Sequence, residues 1–236
     1  MPKVAFDNLE LSTWLAVNNA SVNPVQLKDI VPELIQPAGE DPYLEVAVVA
    51  DKPYGGGLVH LSLPFPQLQG FTLGYVGVDM LFRLPEDAAQ YLRCLEVDCK
   101  VCATAAPNAT TPIPNVMDGS GQIALYDANQ IQIDNAPPAS TWINTGQTAP
   151  ALPPDTWIPW SSRYMADYAN KKGSVSGFNI AGKACPVPAN LQGLPFMSTN
   201  WGQAVELQQQ VDCNDKPGTF SVHYKAIRVT FSDRPF

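Results

Sequence analysis

Short runs of alternating hydrophobic and polar residues recur along the chain, and turn-forming residues separate them. LEVAVVA (44–50) is followed by DKPYGGG, GLVHLSLPF (57–65) by PQLQG, and FTLGYVGVDMLFRL (71–84) by PEDAAQ. Runs of this kind, bounded by Gly, Pro or Asp, are typical of β-strands. The same pattern predicts strands at RCLEVDCKVC (93–102), WGQAVELQQQVD (201–212) and TFSVHYKAIRVTF (219–231), with three or four more between 122 and 169.

Alternation also assigns each side chain to a face, because successive residues of a strand point to opposite sides of its sheet. In RCLEVDCKVC, the apolar side holds Leu95, Val97, Cys99 and Val101. The polar sides of four strands hold His60 and Ser62; Cys94, Glu96, Asp98, Lys100 and Cys102; Glu206, Gln208 and Gln210; and Ser221, His223 and Lys225. If these strands share a sheet, this face is either ordinary solvated surface or a polar groove.

Composition agrees with an all-β chain. There are 23 prolines and 16 glycines, only 15% of the residues are charged, and no long stretch of helix-favouring residues occurs. We therefore predict an all-β chain of one domain, residues 1–236, long enough for one large β-sandwich, with a long exposed loop at 103–121.

The charge distribution argues against two classes of partner. The formal net charge is −8, and residues 1–118 carry 14 acidic against 6 basic residues. Such a surface repels the phosphates of nucleic acid and anionic lipid headgroups. No apolar run approaches the roughly 20 residues of a membrane span, and the N-terminus lacks an apolar signal core. We expect no nucleic acid partner and no membrane insertion, and any secretion signal would lie outside this sequence.

Five cysteines leave at least one unpaired within the chain. Cys99-x-x-Cys102 supplies half of a zinc site, but His60 and His223 stand alone in the sequence, so we expect no metal and no cofactor. Cys99, on an apolar strand face, is expected to be a buried, inert thiol. The candidate disulfides are Cys185 with Cys213 and, less firmly, Cys94 with Cys102.

Several of these segments together resemble the concanavalin A-like lectin/glucanase superfamily. They are PYGGGLVHLSLPF, the strand ending in CLEVDC, PPDTW, NWGQAVELQQQVD and the closing HYKAIRVTFSD, and the likeness extends from about Pro53 onward. In particular, these segments resemble a group of uncharacterised bacterial extracellular jelly-roll proteins. The resemblance implies two packed antiparallel sheets, a concave face that binds or cleaves polysaccharide in many relatives, and an extracellular or cell-surface location.

The resemblance also bears on catalysis. Retaining glucanases of the superfamily carry Glu-x-Asp-x-Glu or Glu-x-Asp-x-x-Glu on one strand, and Glu96 and Asp98 match the first two positions. The third falls on Lys100 or Val101. Lysine beside carboxylates holds its proton and does not replace a general acid easily. Ordinary glucanase chemistry is therefore not expected, although Glu206 could supply an acid from another strand. HYKAIR is faintly similar to the closing motif of alginate lyases, whose companion Gln-x-His motif is missing.

Aromatic rings complete the predicted site, because sugar rings stack on Trp and Tyr. Trp201 and Tyr54 are favoured at the groove, whereas Trp14 and Trp157 are assigned to the core. The predicted ligand-binding residues are Tyr54, His60, Glu96, Asp98, Lys100, Trp201, Glu206 and Gln208, with Glu96, Asp98 and Glu206 as the catalytic candidates. The main hypothesis is a non-catalytic carbohydrate-binding or surface-interaction protein. The alternatives are a glycan-active enzyme, hydrolase before lyase, using Glu96 and Glu206, and a self-assembling subunit of an extracellular fibre.

Overall fold

The structure is a computed structural model of the 236-residue chain. It describes residues 4–12, 14–17, 32–50, 53–54, 56–64, 73–102, 117–126, 130–134, 142–167, 170, 172–187, 189, 194–195 and 204–236.

Within these ranges the chain forms sixteen β-strands and two short 3-10 turns, Leu9–Leu11 and Ala88–Gln90. No described helix is long and apolar enough to cross a membrane. The strands are β1 (Val4–Phe6), β2 (Leu15–Val17), β3 (Pro32–Ile35), β4 (Tyr43–Ala50), β5 (Gly56–Pro64), β6 (Leu73–Arg83), β7 (Leu92–Cys102), β8 (Met117–Tyr126), β9 (Gln130–Asp134), β10 (Trp142–Thr148), β11 (Ile158–Asp167), β12 (Lys172–Ile180), β13 (Lys183–Cys185), β14 (Leu194–Pro195), β15 (Ala204–Cys213) and β16 (Gly218–Ser232).

The strands form two antiparallel sheets. The seven-stranded sheet has the order β10-β9-β8-β7-β15-β5-β2. The nine-stranded sheet has the order β13-β12-β11-β6-β16-β4-β3, with β1 added on β16 and β14 on β12. Half of the neighbouring pairs in these orders, such as β7 with β15 and β6 with β16, are distant in sequence, and the predicted two-sheet β-sandwich is confirmed.

The core lies between the two sheets and is built from alternate residues of their strands. In β4, Leu44, Val46, Val48 and Ala50 are buried while the residues between them are only partly covered. Burying one such aliphatic side chain is worth about 1.5–3 kcal/mol relative to leaving it exposed. The Tyr164 hydroxyl in the nine-stranded sheet donates to the carbonyl of Val97 in the seven-stranded sheet at 3.3 Å, which joins the sheets across the core.

A bulge interrupts β16 and brings the N-terminal segment against it. The pairing of β16 with β6 shifts between Lys225 and Arg228, and Ala226 adopts a positive φ of 52°. The bulge takes the Ile227 N–H out of the regular ladder, and Glu10 Oε2 accepts a hydrogen bond from it at 2.9 Å. Because Glu10 is only 5% exposed, this carboxylate satisfies a buried backbone donor.

The predicted loop at 103–121 is wrong at its C-terminal end. Strand β8 begins at Met117, and Val101 of β7 pairs with Gly119. The sequence MDGSG reads as a turn because Gly, Ser and Asp have low strand propensity. Pairing with residues 99–102 of β7 outweighs that weak local preference.

Both candidate disulfides are wrong, since Cys94, Cys185 and Cys213 are buried free thiols. Cys94 and Cys102 lie in the same strand, β7, eight residues apart. At about 3.3 Å per residue their Cα atoms are roughly 26 Å apart, far beyond the roughly 7 Å that a disulfide allows. The Cys99 side chain lies outside the described residues. Burial raises the pKa of the Cys185 thiol, with Lys183 opposing in part, so this thiol stays protonated and unreactive near neutral pH.

The two tryptophans assigned to the core differ. Trp14 is buried and its indole N–H donates to the Leu9 carbonyl at 2.9 Å, as predicted. Trp157 is instead half-buried at the outer surface of the nine-stranded sheet, beside Arg83 and Lys225. The Arg83 and Lys225 side chains cover its ring there. Trp157 precedes β11, so strand alternation does not assign its side chain to a face.

Candidate functional site

The first candidate site is the outer surface of three adjacent strands, β5, β15 and β7. Gln208 of β15 pairs with His60 on one side and with Asp98 on the other. Glu206 likewise lies between Ser62 and Lys100. Directly opposed residues belong to the same face of a sheet. We call this surface the polar face: His60, Ser62, Glu96, Asp98, Lys100, Glu206, Gln208 and Gln210.

The structure thus brings six predicted residues onto neighbouring register positions. The side chains of five of them, His60, Asp98, Lys100, Glu206 and Gln208, lie outside the described residues. The fourth strand with a polar side, β16, does not join them. Its Ser221, His223 and Lys225 belong to the nine-stranded sheet, so they lie on the other side of the sandwich.

Glu96, the sixth residue, is in a different environment from a solvated groove carboxylate. It is 6% exposed, and its Oε1 accepts a hydrogen bond from the Cys94 thiol at 3.5 Å. One ligand atom each from Cys94, Glu96 and Asp212 lie within 4.8 Å of one another. A thiolate with two carboxylates is a donor set able to hold a divalent cation such as Zn²⁺. This set does not involve the Cys99-x-x-Cys102 pair considered from the sequence.

Of the two aromatic residues predicted at the groove, Trp201 lies outside the described residues. Tyr54 is in the turn between β4 and β5, with a positive φ of 61° and 48% exposure. Its N–H donates to the Asn214 carbonyl at 2.8 Å, and the Arg93 guanidinium lies 4.7 Å from the centre of its ring. Tyr54 is therefore an accessible ring whose backbone is fixed to the turn before β16.

The register also measures the spacing of the catalytic candidates. Glu206 is opposite Lys100, four residues along β7 from Glu96. With about 3.3 Å per residue and about 4.8 Å between strands, the Cα atoms of Glu96 and Glu206 are roughly 14 Å apart. That spacing does not suit the roughly 5–5.5 Å between carboxyl groups in retaining enzymes. Asp98 is the diagonal neighbour of Glu206, at about 7–8 Å between Cα atoms.

A second cluster, which the sequence analysis missed, lies on the outer surface of the nine-stranded sheet. His223 of β16 pairs with Glu45 of β4 and with Arg83 of β6. Its Nε2 is 2.9 Å from Glu45 Oε2 and 3.0 Å from Ser221 Oγ. Arg83 contacts its Nδ1 through Nε at 3.2 Å and Nη2 at 2.9 Å. The polar side of β16 was the only part visible in the sequence.

These contacts decide the tautomer of the imidazole. Arginine only donates hydrogen bonds, so Nδ1 of His223 accepts and Nε2 carries the proton. That proton points to the Glu45 carboxylate, and no lone pair on Nε2 remains to take a proton from Ser221. A serine nucleophile needs such a base. Ser221, His223 and Glu45 therefore do not form a hydrolytic triad, and Glu45 and Arg83 instead face each other across a neutral ring.

Burial is the main cause that lowers the pKa of His223, Arg83 lowers it further, and Glu45 opposes the shift. His223 therefore has a lower pKa in the folded protein than in the unfolded chain, where it is about 6.5. Stability should be full above pH 6.5, decline as pH falls through the window below it, and level off under the folded-state pKa. The slope is at most about 1.4 kcal/mol per pH unit for one proton.

Thermal unfolding between pH 8 and pH 5 measures this contribution. His223→Gln retains an acceptor for Arg83 and a donor for Glu45 but does not titrate. We expect the stability difference between wild type and variant to shrink as pH falls below 6.5. A difference that is constant over this range would contradict a depressed pKa.

Next to this cluster lies an open cleft of about 630 Å³, and Arg83 and Lys225 line it. The Arg83 guanidinium carbon is 5.0 Å from the centre of the Tyr43 ring and 4.7 Å from that of Trp157. Lys225 Nζ is 4.6 Å from the centre of the same Trp157 ring. We call this site the Arg83 cleft, lined by Gly39, Glu40, Asp41, Arg83, Trp157 and Lys225.

Comparison with known proteins identifies the fold. No family model and no curated protein matches the sequence. Several solved structures, including the following two, are similar over nearly the whole chain. Arcelin-5, described as a lectin-like defence protein from Phaseolus vulgaris, has a TM-score of 0.52 at 10% identity, covering 97% of each chain. Lectin I from Ulex europaeus, in complex with the methyl glycoside of α-L-fucose, has a TM-score of 0.51 at 8% identity, covering 98% of each chain. The chain has the concanavalin A-like jelly-roll fold.

In this concanavalin A-like sandwich the two sites lie on opposite outer surfaces. The polar face belongs to the seven-stranded sheet, and the Arg83 cleft belongs to the nine-stranded sheet. Between them lies the core that alternate residues such as Val97 and Phe82 fill. A ligand on one surface therefore has no direct contact with a ligand on the other.

Proposed function

We propose that the protein binds a glycan on the polar face of its seven-stranded sheet and does not cleave it. The observation that carries this proposal is the register of β5, β15 and β7, which aligns hydrogen-bonding residues in rows across three strands. A row such as His60, Gln208 and Asp98 offers donors and acceptors at about 4.8 Å intervals, a spacing that suits sugar hydroxyls. The proposal includes an extracellular or cell-surface location, where glycans are presented.

The charges of this surface favour a neutral glycan. Besides the buried Glu96, this surface carries two acidic residues, Asp98 and Glu206, and one cation, Lys100. Carboxylates accept hydrogen bonds from sugar hydroxyls, whereas they repel the acid groups of polyanionic chains. The exposed ring of Tyr54 lies in the turn that precedes β5 and is available for stacking on a pyranose.

The absence of hydrolysis in this proposal rests on Lys100 and on the spacing of the acids. Lys100 occupies the third position of the glucanase-like motif, and it lies directly opposite Glu206. A retaining mechanism needs a carboxylic acid at that position to protonate the leaving oxygen, and Lys100 supplies none. The Cα atoms of Glu96 and Glu206 are roughly 14 Å apart, which is too far for a nucleophile and its acid partner.

One observation favours a second candidate, an inverting glycoside hydrolase. The diagonal spacing of Asp98 and Glu206, about 7–8 Å between Cα atoms, is compatible with the roughly 6.5–9.5 Å between carboxyl groups of inverting enzymes. In this arrangement one carboxyl group activates a water and the other protonates the leaving group. The runner-up pair from the sequence, Glu96 with Glu206, is replaced by Asp98 with Glu206.

A panel of soluble polysaccharides tests both candidates when binding and release of reducing ends are measured on the same samples. We expect binding of at least one neutral glycan without release of reducing ends. Gln208→Ala should weaken binding about tenfold or more, because Gln208 is at the centre of the polar face. Glu33→Gln, on the exposed edge strand β3 of the other sheet, is the control.

Hydrolysis that Glu206→Gln abolishes would establish the inverting enzyme in place of the binding protein. Binding that Gln208→Ala leaves unchanged would move the glycan site away from the polar face. A panel without any binding, together with concentration-dependent association of the protein, would favour the self-assembling subunit.

A further inference from the structure

Arg83 is a fixed cation at the floor of an open cleft. Two of its nitrogens are hydrogen-bonded to His223 Nδ1, and its guanidinium packs on the rings of Tyr43 and Trp157. These contacts restrict both its position and the orientation of its plane. A guanidinium that is ordered before a ligand arrives loses less conformational entropy on binding.

The charge of Arg83 has no direct carboxylate partner among the described residues. The carboxylate of Glu45 reaches it only through the imidazole of His223, which is bonded to both. Burial lowers the pKa of His223, so this bridging ring is neutral and adds no charge near neutral pH. The contrast is Arg163 on the same outer surface, whose Nη2 meets Asp79 Oδ1 at 2.8 Å.

Lys225 provides a second cation on the same cleft. Its ammonium lies 4.6 Å from the centre of the Trp157 ring, the ring that Arg83 also contacts. Its ion pair is with Asp41 at 3.6 Å, and Asp41 is 85% exposed. The Lys225 side chain is only 16% exposed, but solvent reaches the Asp41 carboxylate and screens this long pair, so it contributes about 0–1 kcal/mol.

From this geometry we propose that the Arg83 cleft binds the carboxylate group of a small ligand, either an acidic sugar residue such as a uronate or a free carboxylic acid. Arg83 and Lys225 hold the carboxylate, with the guanidinium able to bind it through two parallel hydrogen bonds. Glu40 and Asp41 line the same cleft and supply acceptors for hydroxyl groups. A uronate presents both a carboxylate and hydroxyls, so the cleft favours the acidic sugar over the simple acid.

This inference goes beyond the proposed function, because it concerns the opposite surface and a ligand of different charge. The polar face carries an excess of acidic residues and suits neutral glycans. The Arg83 cleft holds two cations and two carboxylates, and it suits an acid through Arg83, which has no direct carboxylate partner among the described residues. Each site therefore has its own probe, and either can fail without the other.

Isothermal titration calorimetry at low salt tests the cleft with sodium D-glucuronate, sodium acetate and D-glucose as probes. We expect saturable glucuronate binding that is at least tenfold tighter than that of glucose. Lys225→Met and Arg83→Met should each weaken glucuronate binding about tenfold or more. Arg163→Met is the matched control, because it removes an arginine of the same surface whose charge is already paired with Asp79.

Each result decides the proposal. Glucuronate binding well above acetate identifies an acidic sugar, and equal binding of the two identifies a general carboxylate site. Glucose binding as tight as glucuronate, an equal loss in Arg163→Met, or no binding of either acid would overturn it. If Arg83→Met does not fold, Lys225→Met still decides, because Lys225 also lines the cleft. Neutral glycan binding that Gln208→Ala weakens and Lys225→Met leaves intact would keep the proposed function separate.

Discussion

Glu10→Ala should destabilise the protein by about 2–3 kcal/mol, because it leaves a buried backbone donor without its partner. The Ile227 N–H points at Glu10 Oε2 at 2.9 Å from the bulge in β16. Regular pairing with β6 resumes only at Arg228, so the ladder offers this donor no carbonyl. For a chain of this size the melting temperature should fall by roughly 4–12 °C.

Two further substitutions distinguish the loss of the hydrogen bond to Ile227 from the loss of the Glu10 charge or of its side chain. Glu10→Gln keeps an acceptor oxygen at the same position and should lose less than half as much stability. Glu86→Ala makes the same chemical change at an exposed turn residue and should stay within about 0.5 kcal/mol of wild type. Urea unfolding of the three variants gives the comparison. A loss in Glu10→Gln equal to that in Glu10→Ala would show that the carboxylate charge matters more than the hydrogen bond.

Gly218→Ala should destabilise the protein by about 1–3 kcal/mol through overpacking. A Cβ at this position would lie 2.4 Å from Cε1 and 2.7 Å from Cζ of Tyr91. The Tyr91 ring stacks on Phe220 at 6.0 Å between centres, and the Tyr91 carbonyl accepts from the Asn214 N–H. The ring therefore has little freedom to move away, and the turn between β15 and β16 would have to shift with it.

The matched control is Gly177→Ala, since a Cβ there meets nothing within 4 Å. Gly177 lies in β12, and alanine should be neutral or stabilise by up to about 1 kcal/mol through the unfolded chain. Tyr91→Ala combined with Gly218→Ala should show less than the sum of the single losses, because the first change removes the clash. Additive losses in this cycle would mean that the clash with Tyr91 is not the cause.

The sequence by itself determined the long strands β4 to β7, β15 and β16 and the two faces of most of them. Alternation in residues 44–50 matches the buried Leu44, Val46 and Val48 one for one, since a half-buried strand requires a period of two. In the same way, the polar sides of β5, β7 and β15 were visible before any pairing was known. The loop at 103–121 was misjudged at its end because MDGSG is strand only by virtue of its neighbours.

Only the tertiary structure decided which strands are neighbours, because pairing joins residues that are far apart in sequence. In the tertiary structure, Gln208 pairs with His60 and Asp98, and Glu206 lies four residues along the register from Glu96. Strand β16 belongs to the nine-stranded sheet and not to the sheet of the polar face. The Arg83 cleft shows the same limit most clearly, since Arg83 of β6, Lys225 of β16 and Trp157 before β11 each look ordinary alone. Alternation records the face of each residue within its own strand, whereas the site depends on the long-range order of the strands, which a local pattern does not contain.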